Sequence, residues 1–196
     1  MRRSLITMLL PFLLCAPPVF AQDEHEADRA ALRGMLQDIE QGINNGNIDL
    51  MAKHIADNAT VTWLNAETSK GPDGVRAYFR RMVGDAPGTI LSKYSTHPMI
   101  SGPAVFHGDV AVANGTTRDE FTPHHRSVFK FDSRWTATLR KSEGQWRIIA
   151  LHLSTNNFDN ELIDELKQFA IYSGIGGALA GLLLAAVLAY WRRRTK

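Results

Sequence analysis

The sequence predicts an α+β domain, helices first and antiparallel strands after, followed by one membrane-spanning helix. Three observations carry this. Apolar residues recur at helical spacing up to about residue 83, and the period is mostly two from Ile90 to Ser154. The stretch Ala170 to Trp191 is uncharged and long enough to cross about 30 Å of hydrocarbon as a helix.

The two ends of the chain specify a compartment. Arg2 and Arg3, an apolar run from Leu5 to Leu14 and the small-residue site "APPVFA" form a secretory signal, residues 1–21, cut after Ala21. Cys15, the only cysteine, lies inside it, so the exported domain rests on its core or on oligomerisation and not on disulfides. At the other end, Tyr172, Tyr190 and Trp191 flank the span 170–191, and the basic tail 192–196 stays cytoplasmic. The expected topology is a single pass through the inner membrane with the domain in the periplasm. Gly174 and Ala178, then Gly177 and Gly181, put small residues four apart on the span, a weak mark of a homodimer.

Charge is distributed by function. Setting aside the six basic residues of the two ends leaves 16 basic residues against all 20 acidic ones, a formal −4 between Gln22 and Phe169. A mildly acidic domain gives a nucleic-acid partner no electrostatic support.

The domain, 22–156, reads in order as follows. Leu32, Met35, Leu36, Ile39 and Ile43 line one face of a helix that "NNGN" ends. "IDLMAKHI" is a short second helix, and "ATVTWLN" alternates as a strand. "GPDGVRAYFRRMV" has Pro72 and Asp73 in the first turn of a third helix. The strands "ILSKYSTHPMI", "DVAVANGTTRDEF", "HRSVFKFDSRWTATLRK" and "QWRIIALHLS" are separated by turn formers. In the third, Phe129, Phe131, Trp135, Ala137 and Leu139 share one face and charged residues the other. The last strand is apolar on both faces and is expected to be central. "NNFDNELIDELKQF" reads as a juxtamembrane stalk helix over 157–169 that continues into the span.

This ordered set resembles the SnoaL-like domains of the nuclear transport factor 2-like superfamily. The residues that carry the likeness are "INNGN" before "IDLMAKHIADNATVTW", then "GPDGVRAYFRRMV", and the ending "WTATLRKSEGQWRIIALHLS". The resemblance implies a cone-shaped α+β barrel with a pocket between helices and concave sheet, often dimerised through the sheet. It carries no catalytic residue over, because the family's chemistries share no single motif.

Candidate site residues follow from strand alternation. Unbroken alternation over the last strand puts Trp146, Ile148, Ala150, His152 and Ser154 on one face. If that face is concave, His152 points at the pocket and is a candidate base near neutral pH. The alternative is a histidine tying the strand end to a neighbour, and the sequence offers no partner that would favour catalysis. Trp63, Tyr78, Phe131 and Trp135 are expected to line the pocket with it. His97, His107, Asp109, His124 and His125 lack the spacing of a metal site, and no metal or cofactor is expected. "RDE", 118–120, reads as a solvated strand end.

Three functions remain. The first is a pocket for a small apolar or amphipathic molecule. The second is an isomerase, dehydratase or hydrolase using His152. The third is an assembly module, whose mark would be a filled cavity and an apolar outer face at Ile149, Leu151 and Leu153.

Overall fold

The computed structural model describes residues 25–194. The residues read as a signal peptide and the last two of the basic tail lie outside the described residues. The elements are α1 (Glu26–Asn44), α2 (Asp49–Ala52), β1 (Ile55–Thr62), β2 (Thr68–Lys70), α3 (Gly71–Met82), β3 (Leu91–Ile100), β4 (Val105–His107), β5 (Val110–Pro123), β6 (Phe129–Ser142), β7 (Gln145–Thr155) and α4 (Glu161–Arg194). The α+β class and the order of helices before strands are as the sequence predicts.

Seven strands form one curved, open sheet in the order β2-β1-β7-β6-β5-β3. β3 and β4 share one edge of β5, with β3 opposite residues 115–123 and β4 opposite 110–112. All pairs are antiparallel except β1 with β7, which is parallel. That pair moves one predicted boundary. Ile55, read as the end of the second helix, is opposite Ile148, and the Ile148 N–H donates to the His54 carbonyl at 2.8 Å. Pairing with the central strand satisfies these groups better than another half turn of helix. β2 and β4 have three residues each, too few to show a period.

The last strand departs from simple alternation. Thr138 is opposite Ala150 but Leu139 is opposite Ile148, so Ile149 is an extra residue in β7. A one-residue bulge turns every later side chain to the other face. Trp146 and Ile148 are buried before it, and Leu151 and Leu153 are the inward residues after it.

The core lies between α1 to α3 and the concave face, with Met51, Ile55, Val61 and Val75 almost fully buried. α1 is fixed at both ends. At its start, Asp28 Oδ1 accepts from Lys141 Nζ at 2.6 Å and from Trp146 Nε1 at 2.8 Å. Further along, Asp38 Oδ2 meets Lys53 Nζ at 2.9 Å and His54 Nε2 at 2.8 Å. At its end, Asn44 copies a strand partner: Nδ2 donates to the Thr96 carbonyl at 2.9 Å, and Oδ1 accepts from the Thr96 N–H at 2.8 Å. This uses the open edge of β3 that would otherwise offer itself to another chain.

The Lys141 bond first, and then that of Trp146, hold Asp28 below its ordinary value of 3.8. Lys53 first, and then His54, do the same for Asp38. A carboxylate with a depressed folded pKa stabilises the fold above its unfolded pKa, and that contribution is lost as pH falls through the folded value. The denaturant midpoint is therefore expected to hold from about pH 7 to 5 and to drop below about pH 4. Asp28→Asn should flatten part of that drop, which chemical denaturation at the two ends of the range would measure.

α4 is one continuous helix over both the stretch read as stalk and the stretch read as span. Its apolar part is long enough to cross a membrane, and its residues are exposed. At its start Glu161 Oε2 accepts from the Lys130 N–H at 2.7 Å, and Glu165 pairs with Arg126 at 3.2 Å.

Candidate functional site

A cavity of about 380 Å³ opens between α1 and the concave face of the sheet. Its walls are nearly all carbon, with Leu36 and Ile39 from α1 facing Ala137, Leu139, Leu151 and Leu153 from β6 and β7. Arg29 and Arg33 of α1 and the segment Gly102 to Ala104 complete its lining. The volume falls in the range of small-molecule pockets.

The predicted site residues separate. Trp63 and Trp135 line the cavity. Both indole N–H groups are occupied, that of Trp63 by Ser69 Oγ at 2.8 Å and that of Trp135 by the Thr116 carbonyl at 3.1 Å. Tyr78 stands behind Trp63, stacked with ring centroids 4.3 Å apart, and faces a minor void of about 50 Å³. Burial, and then the charge of Glu67, push its hydroxyl up to about 12.

Phe131 does not reach the cavity. It is on the inner face of β6 as expected, but it packs against Phe121 and Phe129 at 5.7 and 5.4 Å and borders a separate polar groove. The small, buried Ser133 stands between it and Trp135 along the strand.

His152 is also elsewhere. The bulge at Ile149 places it on the outer face, exposed, opposite Thr62 and Thr136. For the same reason Leu151 and Leu153, expected on an apolar outer face, are cavity walls. His152→Ala should change stability by no more than about 0.5 kcal/mol and leave binding to the cavity unaltered, as thermal denaturation and titration would read.

One polar cluster interrupts the apolar wall, and its centre, Asp119, belongs to the "RDE" stretch expected at a solvated strand end. Asp119 is 1% exposed. Its Oδ1 accepts from the Tyr94 hydroxyl at 2.8 Å, from Thr96 at 2.7 Å and from Thr117 at 3.2 Å, and the two threonine oxygens are 2.6 Å apart. Its Oδ2 is buried without a protein partner, as is the hydroxyl of neighbouring Ser133. Burial first, and then the charge of Asp119, raise the Tyr94 hydroxyl well above its ordinary value. Tyr94, Thr96 and Thr117 line the cavity, while Asp119 sits behind them. The signal for it was the alternation of β5: Ala111 and Ala113 share their face with Thr117, Asp119 and Phe121, so "RDE" carries an acid into the interior.

Among the described residues, no three His, Cys, Asp or Glu side chains gather as a metal site. His107 and Asp109 flank the turn between β4 and β5, where Gly108 has φ 62°.

Comparison with known proteins agrees with this geometry. Residues 32–157 match the model of the SnoaL-like domain. No curated protein matches. Among solved structures, a hexachlorocyclohexane dehydrochlorinase (LinA) type 2 superposes with a TM-score of 0.58 at 17% identity, over 66% of this chain and 86% of that one. Its type 3 counterpart from Novosphingobium barchaimii LL02 gives 0.57 at 16%, over 66% and 87%. A cystatin-like domain of unknown function from Nostoc punctiforme PCC 73102 gives 0.57 at 18%, over 83% and 97%. At such identities the likeness is one of fold.

Proposed function

Because the chain belongs to the SnoaL-like domain family, we propose that it binds a small, predominantly apolar molecule in the cavity beneath α1, in a domain held at a membrane by α4. The observation that carries this is the cavity itself. Apolar side chains line an open space of about 380 Å³ where a protein interior would otherwise close to crystal-like density. Leaving it open forgoes packing contacts that an occupant would restore. The anchor rests on the length and apolar character of α4 and on Arg192, Arg193 and Arg194 at its end. With that topology the domain faces the periplasm.

Native mass spectrometry of the full chain released from lipid nanodiscs tests the pocket. The wild type should retain an added small mass, and Ala113→Phe, which fills the cavity from the inner face of β5, should lose it. A wild type that retains nothing, and whose stability no small apolar compound raises, would sink the reading. Topology has its own test. Ser142→Cys should react with a membrane-impermeant maleimide in intact spheroplasts.

A second reading, an enzyme of the isomerase, dehydratase or hydrolase type, is favoured by one observation. Asp119 is a buried acceptor linked through Tyr94 and Thr96 to the cavity, as an acid–base step would require. It takes the place of His152, which the bulge removes. The similar fold of the hexachlorocyclohexane dehydrochlorinases makes elimination the reaction to assay first, with Asp119→Asn as the inactive control.

A further inference from the structure

The polar cluster in the cavity wall has a direction that constrains what can bind. A hydroxyl owns one proton and two lone pairs, while Asp119 as a carboxylate only accepts. The Tyr94 proton goes to Asp119 Oδ1. The protons of Thr96 and Thr117 go to that same oxygen or to one another. Every proton of the three hydroxyls is thus spent inside the cluster. What they present to the cavity is lone pairs.

The indole N–H groups of Trp63 and Trp135 are turned to Ser69 and to the Thr116 carbonyl. The other side-chain donors on the lining belong to Arg29 and Arg33 of α1. Arg29 reaches the Ala104 carbonyl, and Arg33 pairs with Glu26 at 2.6 Å. Apart from these two guanidinium groups, the side chains of the wall offer apolar surface and the hydrogen-bond acceptors of the cluster.

From this we infer that the polar cluster selects an apolar molecule bearing a hydrogen-bond donor, an alcohol or phenol, over the matching ketone or ether. The inference rests on the pocket reading above and adds the class of ligand. A buried acceptor facing an acceptor-only ligand leaves both groups unpaired, whereas a ligand hydroxyl supplies the one missing proton.

Menthol and menthone test it. They share a carbon skeleton and differ in hydroxyl against ketone. Isothermal titration of each into the full chain in nanodiscs, with empty nanodiscs as the blank, should give menthol a Kd at least about tenfold lower. Asp119→Asn then reverses the logic, because its amide N–H groups donate and free hydroxyl protons to turn inward. The menthol preference should fall below about threefold. The wild-type ratio stands as a test even if the variant does not fold. Equal Kd values, or tighter menthone, would overturn the donor rule while leaving the pocket intact. Binding of neither compound would overturn the donor rule, and the retained-mass experiment above decides the pocket separately.

Discussion

Gly115→Ala is expected to destabilise the domain by roughly 3 kcal/mol or more, above the range usual for overpacking. Gly115 is buried on the inner face of β5, opposite Trp135. A Cβ there would lie 2.0 Å from the Met99 carbonyl oxygen and 2.6 Å from two carbons of the Trp135 indole. The indole could shift toward the cavity, but the carbonyl belongs to the backbone of β3, held in register with β5. The two clashes separate by experiment. Combining Gly115→Ala with Trp135→Phe should recover only the indole part of the loss in urea denaturation. Full recovery would mean that the strand yields freely, against the packing described.

Asp119→Ala is expected to cost about 3 kcal/mol, through the donors it strands. Tyr94, Thr96 and Thr117 lose their shared acceptor, and only the two threonines can turn to each other. The partner experiment is more telling. Asp119→Leu combined with Tyr94→Phe, Thr96→Val and Thr117→Val replaces the polar groups by apolar ones of similar size. Such a swap is often nearly neutral, since none of the four is left as an unpaired polar group. A quadruple variant close to wild type in denaturant midpoint would show that the cluster adds little net stability. Its presence in an otherwise apolar wall would then be a matter of what binds. A quadruple variant as unstable as Asp119→Ala would instead make the cluster a structural element of the sheet.

These residues mark how far the sequence could be read. The periodicity of α1, α3 and the long strands is local, set by which side of each element meets water, and the elements follow it closely. The apolar length of the last helix is local too, since crossing hydrocarbon depends on composition over about 20 residues. The inner face of β5 was equally legible: strict alternation from Ala111 carries Asp119 inside, and only the assumption that charged strand ends are solvated hid it.

The remaining features depend on contacts distant in sequence. Nothing in "WRIIALHLS" marks Ile149 as the residue without a partner. The bulge exists because β7 must match β6 on one side and β1 on the other, and it alone decides that Leu151 and Leu153 face the cavity and His152 faces out. The end of α2 was likewise decided by the parallel partner of Ile55. Phe131 has the right parity and the wrong position, because the reach of the cavity along β6 is set by how α1 lies across the sheet. By itself the sequence determined the class of fold, the order of its elements and a terminal helix fit to span a membrane, because each is written in the period or composition of one segment. Only the tertiary structure decided which side chains share the cavity, since register between strands is a property of pairs, and one extra residue in a pair inverts every face beyond it.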